Sequence, residues 1–295
     1  MLLTSSPRNA STSAATAAAR FIGQAQCLRW DGATARWWWA DSAGGMLRAW
    51  SHEHALSMHC ALPDEAGPFV QCSSGRLLLC QPKRLCHAAA PTAAQNLTRR
   101  AWRLCPLVAV DPAEPRTSIH DGRTDRRGFF VFGTRNNGAD ARPIGSFYQY
   151  SSQYGLRRLA LPAVAVATSI CFSIDGLRMY FADGDHPRIF QCYYDAESAG
   201  IANVRAFADS GALPEGAVVD RDGNLWSAQA GAGRLLQFSP DGSVVKRCDL
   251  PSGAPATPAF GGGQLDYLAV GSADGMIRVP NHGAAGILDT PFDDG

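Results

Sequence analysis

Short runs in which apolar residues alternate with polar ones recur along this chain, each closed by a glycine-bearing turn. The pattern is plain in "WDGATARWWWADSAGGMLRAW" from Trp30, "CSSGRLLLC" from Cys72 and "DGRTDRRGFFVFGTRNN" from Asp121 with "GSFYQY" from Gly145. It returns in "FSIDGLRMYFADGDHPRIFQCYYD" from Phe172, "VVDRDGNLWSAQAGAGRLLQFSPDG" from Val218 and "FGGGQLDYLAVGSADGMIRV" from Phe260. Each reads as strand, turn, strand. Asp-Gly and Ser-Gly between alternating hydrophobics signal hairpins, because glycine accepts the positive φ of tight turns. The first turns fall near Gly32, Gly75, Gly128, Gly176, Gly223 and Gly263, at steps of roughly 40 to 53 residues, close to the length of propeller blades.

One such sheet cannot bury both its faces, so the units must pack radially on one another. The predicted fold is therefore all-β, a six-bladed β-propeller of four-stranded antiparallel blades. Glycine and proline total 48 (30 and 18), which works against helices. A strand near Ile22–Leu28 is left over, and "GILDT" at Ile287 is expected to pair beside it and close the ring. The least regular stretch is Gln81–Val110, whose Ala/Pro/Thr-rich part reads as a long surface loop, with an inserted helix over Thr92–Leu104 as the alternative.

Composition changes this picture little. The chain has 295 residues, 46% hydrophobic and 18% charged, enough for a large core. A net charge of +1 gives no basic surplus for a nucleic-acid backbone, so that partner is not expected. No run of eighteen apolar residues predicts a membrane span. Residues 1–20, rich in Ala, Ser and Thr, read as a disordered tail before a single propeller domain at 21–295. Nine cysteines without a C-x-x-C pair read as reduced, buried thiols, which points to the cytoplasm. A monomer is favoured.

"SICFSIDGLRMYFAD", "VDRDGNLWSAQAGAGRLLQFSPDG", "AFGGGQLDYLAV", "HDGRTDRRGFFVFGT" and "GSFYQY" together resemble the gluconolactonase/regucalcin (senescence marker protein) family, from about Phe21 onward. That resemblance implies a six-bladed propeller with one divalent metal, Ca2+ or Zn2+, at the mouth of its tunnel, and hydrolysis of sugar lactones. Carried over by position, the family's G-E-x-P-x-W motif meets "AQCLRW", which puts Gln26 at its metal-binding Glu. Thr168 stands at a ligand Asn, and Glu215 in "PEG" at the Asp that is both ligand and proposed general base. R-x-N-D-G reads "SIHDG", so Ser118 and His120 replace Arg and Asn, and Asp121 remains.

The resemblance thus implies metal ligands Gln26, Thr168 and Glu215, with Glu215 catalytic and Ser118, His120 and Asp121 facing substrate. The ligand positions of the family carry two negative charges; here they carry one, and affinity for hard cations follows ligand charge. Two readings remain open. One is a sugar-lactone hydrolase in which a weakened metal site and Glu215 drive water onto the lactone carbonyl. The other is a catalytically inactive propeller that binds a sugar-like ligand or a protein partner. His120 is also a candidate zinc ligand, since imidazole suits that ion.

Three other motifs read as structure. The imidazoles of His52 and His54 follow a strand and belong to a solvated loop. In "RWWWAD", Trp37 and Trp39 share one strand face and are expected to pack between blades. "FGGG" at Phe260 lacks the Lys-Ser/Thr of a phosphate loop and is a blade turn.

Overall fold

A computed structural model describes residues 25–51, 56–62, 66–91 and 102–295. The expected tail, the His52/His54 pair and residues 92–101 of the proposed helix lie outside the described residues. Trp102–Leu104, described, is not helical.

Strands of each blade follow one another in the sheet in chain order, all antiparallel. The first blade comprises Gln26–Asp31, Arg36–Asp41, Met46–Ser51 and Leu56–Ala61. The second comprises Phe69–Gln71, Arg76–Gln81, Arg84–Ala89 and Cys105–Ala109. Thr117–Thr124, Phe130–Asn136, Phe147–Ser151 and Gly155–Arg158 make the third; Ala167–Phe172, Arg178–Asp183, Arg188–Asp195 and Gly200–Asp209 the fourth. The fifth runs through Leu213–Val219, Leu225–Ala230, Arg234–Phe238 and Val244–Asp249. The sixth has three strands among the described residues: Pro255–Gly261, Tyr267–Ser272 and Gly275–Arg278. The first strands of neighbouring blades lie against one another, so they line the central tunnel.

Six buried clusters account for the cohesion, one at each junction between neighbouring blades. The period-two rule explains how one strand serves two junctions. Trp38 and Ala40 pack on Phe69, Leu77 and Leu79 of blade two, while Trp37 and Trp39 pack on Ala259, Ala269 and Met276 of blade six. The tryptophans are thus mortar between blades, each large buried side chain contributing about 1.5–3 kcal/mol. At the last junction, a Cβ on Gly271 would meet the Ala25 carbonyl oxygen at 2.2 Å. Only glycine permits that backbone approach, and beside it the Ala25 N–H donates to the Ser272 carbonyl.

The hairpin turns after the innermost strands gather at one end of the tunnel, its floor. Five turn at a positive-φ glycine: Gly75, Gly128, Gly176, Gly223 and Gly262. The first blade turns instead at Ala35, φ 51. The expected closure by Ile287 is corrected. Ala285–Asp294 forms no blade strand but crosses the floor, bonded to Arg221 and Leu265 at one end and to Gln71, Ser73 and Gly128 at the other. Asp289 projects into the tunnel beside Arg29 and Arg123. Those arginines, both buried, also donate across the tunnel to the carbonyls of Gly122 and Ala217. A segment held from several blades at once needs no strand periodicity, which is why alternation did not reveal it.

Candidate functional site

At the opposite end, the mouth, the innermost strands lose register with their neighbours. Breaks fall between Gln26 and Arg29, between Thr168 and Cys171, between Pro214 and Gly216, and at His120, where Ile119 and Asp121 pair but the residue between them does not. A bulge inserts an unpaired residue and re-aims its side chain. Every position the resemblance offers as a metal ligand, and His120 as well, sits at such a break. Cys27 and Ser169, inside two of them, adopt φ of 52° and 60°, rare for residues other than glycine.

The mouth opens into a cavity of about 530 Å3 whose walls include Gln26, Cys27, Ser118, His120, Arg135 and Asn137. That volume suits a small ligand. Glu215, on blade five, approaches His120 of blade three, which lines this cavity, Oε1 to Nε2, at 3.9 Å. Burial, reinforced by the charge of Asp121 and opposed by Arg135, pushes the Glu215 carboxyl up to about 7. Burial also brings His120 down to about 4, with Arg135 adding to the effect and Asp121 resisting it, so the imidazole is neutral at neutral pH. Cys27 faces the same cavity, but burial lifts its thiol to about 12 and leaves it inert as a nucleophile.

Asp121 has a different position from the other three. Its carboxylate accepts the N–H of Gly122 at 2.8 Å and of Ile170 at 3.1 Å, the latter inside the bulge of blade four. It ties blade three to blade four and acts on Glu215 through its charge. Ser118 Oγ meets Asn137 Oδ1 at 3.1 Å, and the same oxygen accepts Arg135 Nε at 3.0 Å. Gln26 Oε1 accepts the Ser42 hydroxyl at 2.9 Å. Thr168 is buried on the strand beside that of Glu215, and among the described residues neither its hydroxyl nor that of Ser169 has a partner. Arg135 and Asn137 were missed by the sequence reading. They belong to the second strand and its exit, and the only signal was the polar "TRNN" closing an apolar run.

The donors at the mouth fit a divalent cation of modest affinity. Two buried hydroxyl oxygens lack partners among the described residues, burial holds the Glu215 carboxyl up to about 7, and the imidazole is unprotonated. Among the described residues, the one group of three His, Cys, Asp or Glu side chains with ligand atoms within 4.8 Å of one another lies elsewhere. It is Cys72, His87 and Asp294, at the floor.

Comparisons with known proteins bear on the fold and the family. An L-arabinolactonase of Azospirillum brasilense is 41% identical over 189 residues, 62% of this chain and 62% of that protein. The aligned stretch thus spans about three fifths of that relative's length. A 6-deoxy-6-sulfogluconolactonase of Pseudomonas putida is 28% identical over 252 residues, 84% of this chain and 82% of that one. The crystal structure of a calcium-binding protein, regucalcin, from Agrobacterium tumefaciens str. C58 superposes with a TM-score of 0.80 at 22% identity, covering 92% of this chain and 94% of that chain. That likeness speaks for the fold. The family signature described as the SMP-30/Gluconolactonase/LRE-like region matches residues 24–274, and the chain belongs to that family.

Proposed function

We propose that this protein hydrolyses a sugar lactone at the mouth of its tunnel, with Glu215 as general base. The observation that carries the reading is Glu215 itself, a carboxyl about one-third exposed, raised to about 7, and 3.9 Å from a neutral imidazole that lines a cavity of small-ligand size. A base poised near the working pH combines adequate ionisation with adequate proton affinity. The lactonase names of the Azospirillum and Pseudomonas relatives support the substrate class.

In this mechanism the lactone enters the cavity with its ring hydroxyls toward Ser118, His120 and Asn137. Glu215 removes a proton from the attacking water and returns it to the ring oxygen as the acyl–oxygen bond breaks. His120, neutral, offers Nε2 to a substrate hydroxyl. Asp121 is a positioning residue that keeps Glu215 basic. Arg135 presents the positive charge nearest the developing oxyanion. Gln26, Thr168 and Glu215 would hold a divalent cation, Ca2+ or Zn2+, which when bound polarises the carbonyl and acidifies water.

The test uses protein stripped of metal and assayed with five- and six-carbon aldonolactones, before and after addition of Ca2+, Zn2+, Mn2+ or Mg2+. Ring opening above the spontaneous rate, stimulated by at least one cation and lost in Glu215→Gln, is the expected result. Absence of opening with every lactone and every cation would defeat the proposal.

A further inference from the structure

The floor of the tunnel carries the three-residue group noted above, remote from the mouth and independent of the proposed lactonase activity. We propose that Cys72, His87 and Asp294 form a second metal site, selective for a borderline-soft divalent cation such as Zn2+, that fastens the C-terminal segment to blade two.

The three side chains come from separate stretches of chain. Cys72 ends the innermost strand of blade two and pairs with Phe292 in an isolated parallel bridge. His87 projects from the third strand of the same blade, and its ring lies 6.0 Å from that of Phe292. Asp294 arrives with the segment that crosses the floor. Their ligand atoms lie within 4.8 Å of one another, and all three residues are buried. Three protein ligands of this kind, with one position left for water, match the make-up of zinc sites.

A second observation points to a missing partner. His87 is only 8% exposed, and its Nε2 has no hydrogen-bond partner among the described residues. Buried polar atoms are seldom left so. The carboxylate is already oriented, as ligating carboxylates usually are. Asp294 accepts from Ser73 Oγ at 2.9 Å, from the Ser74 backbone N–H at 3.1 Å and from Arg76 Nε at 2.9 Å. Thiolate, imidazole and carboxylate together favour zinc over calcium or magnesium, which take oxygen ligands. Two anionic ligands neutralise the ion, and binding releases the Cys72 proton to solvent. Arg76, half exposed, also pairs with the same carboxylate.

The test titrates Co2+ and then Zn2+ into the full-length, reduced, metal-free chain. A sulfur-to-cobalt charge-transfer band should form, persist in Glu215→Gln and Cys27→Ser, and vanish in Cys72→Ser. Zn2+ should displace the cobalt. Cys72→Ser and His87→Ala should each weaken Zn2+ by more than the roughly 10- to 100-fold that loss of an outer hydrogen-bond partner costs. X-ray absorption on the wild-type protein with one equivalent of Zn2+ needs no variant to fold, and should find one sulfur at about 2.3 Å with nitrogen or oxygen at about 2.0–2.2 Å. A zinc shell without sulfur, or a cobalt band that survives Cys72→Ser, would overturn the proposal.

Discussion

Two carboxylates at opposite ends of one tunnel behave in opposite ways. Glu215, at the mouth, is pushed up to about 7, and no hydrogen bond reaches its carboxylate among the described residues. Asp294, at the floor, sits at about 2: burial alone would raise it, but donors from Ser74, Ser73 and Arg76 outweigh that effect. Asp220, on the turn that follows Glu215's own strand, likewise accepts the Trp226 indole N–H at 2.8 Å, the Gln237 amide at 3.0 Å and the Asn224 backbone N–H at 2.9 Å. The contrast teaches where this fold spends its hydrogen bonds. At the floor, donors surround Asp220 and Asp294 and fix their turns. At the mouth, bulges withdraw residues from the ladder and leave polar atoms free for a ligand.

The contrast is broken most severely by Glu215→Gln. Loss of a general base lowers turnover by about 10²- to 10⁴-fold, measured as ring opening at saturating lactone. The same variant should be the more stable protein above neutral pH. Wild-type stability falls as pH rises from the ordinary carboxylate range toward 7, because the folded state holds that proton more tightly. Discounted for a side chain about one-third exposed, the gain is about 1–2 kcal/mol at pH 8 in a denaturant melt.

Asp220→Ala should do the reverse. It strands the Trp226 indole and the Gln237 amide and costs about 3 kcal/mol of stability, while folded molecules keep their turnover. The smaller effect lies at Asp294. Its stabilisation is complete above pH 4 and is lost as pH falls toward about 2. Because the partner Arg76 is half exposed, that loss is about 1 kcal/mol, and Asp294→Asn should flatten acid unfolding over that window. The mildest change is Ser118→Ala, expected to raise the lactone KM by about 2- to 10-fold with little change in kcat.

Much of the architecture was legible because blades are local objects. Gly75, Gly128, Gly176 and Gly223 stand at turns that demand positive φ, and the alternation through Trp37, Trp38 and Trp39 stated which faces would be buried. The floor segment was not legible. Ile287–Asp294 is held by contacts to blades one, two and three, and nothing in "ILDTPFDD" encodes them. At the mouth, Glu215, His120 and Ser118 were found through a family likeness and not through spacing. Their motifs lie on different blades, and only ring closure brings two of them to 3.9 Å. Arg135 escaped because a basic residue at a strand end looks like any solvated one. Cys72, His87 and Asp294 escaped for a related reason: no short spacing links them, so they meet only once the segment has crossed the floor.

The most direct test of the central claim is the pH dependence of lactone opening, followed for wild type and Glu215→Gln without added cation and corrected for spontaneous hydrolysis. Activity in the wild type should rise through a midpoint near 7 and level off above it, and the variant should show neither the rise nor the plateau. A variant that opens lactone at the wild-type rate, with the same profile, would contradict the account.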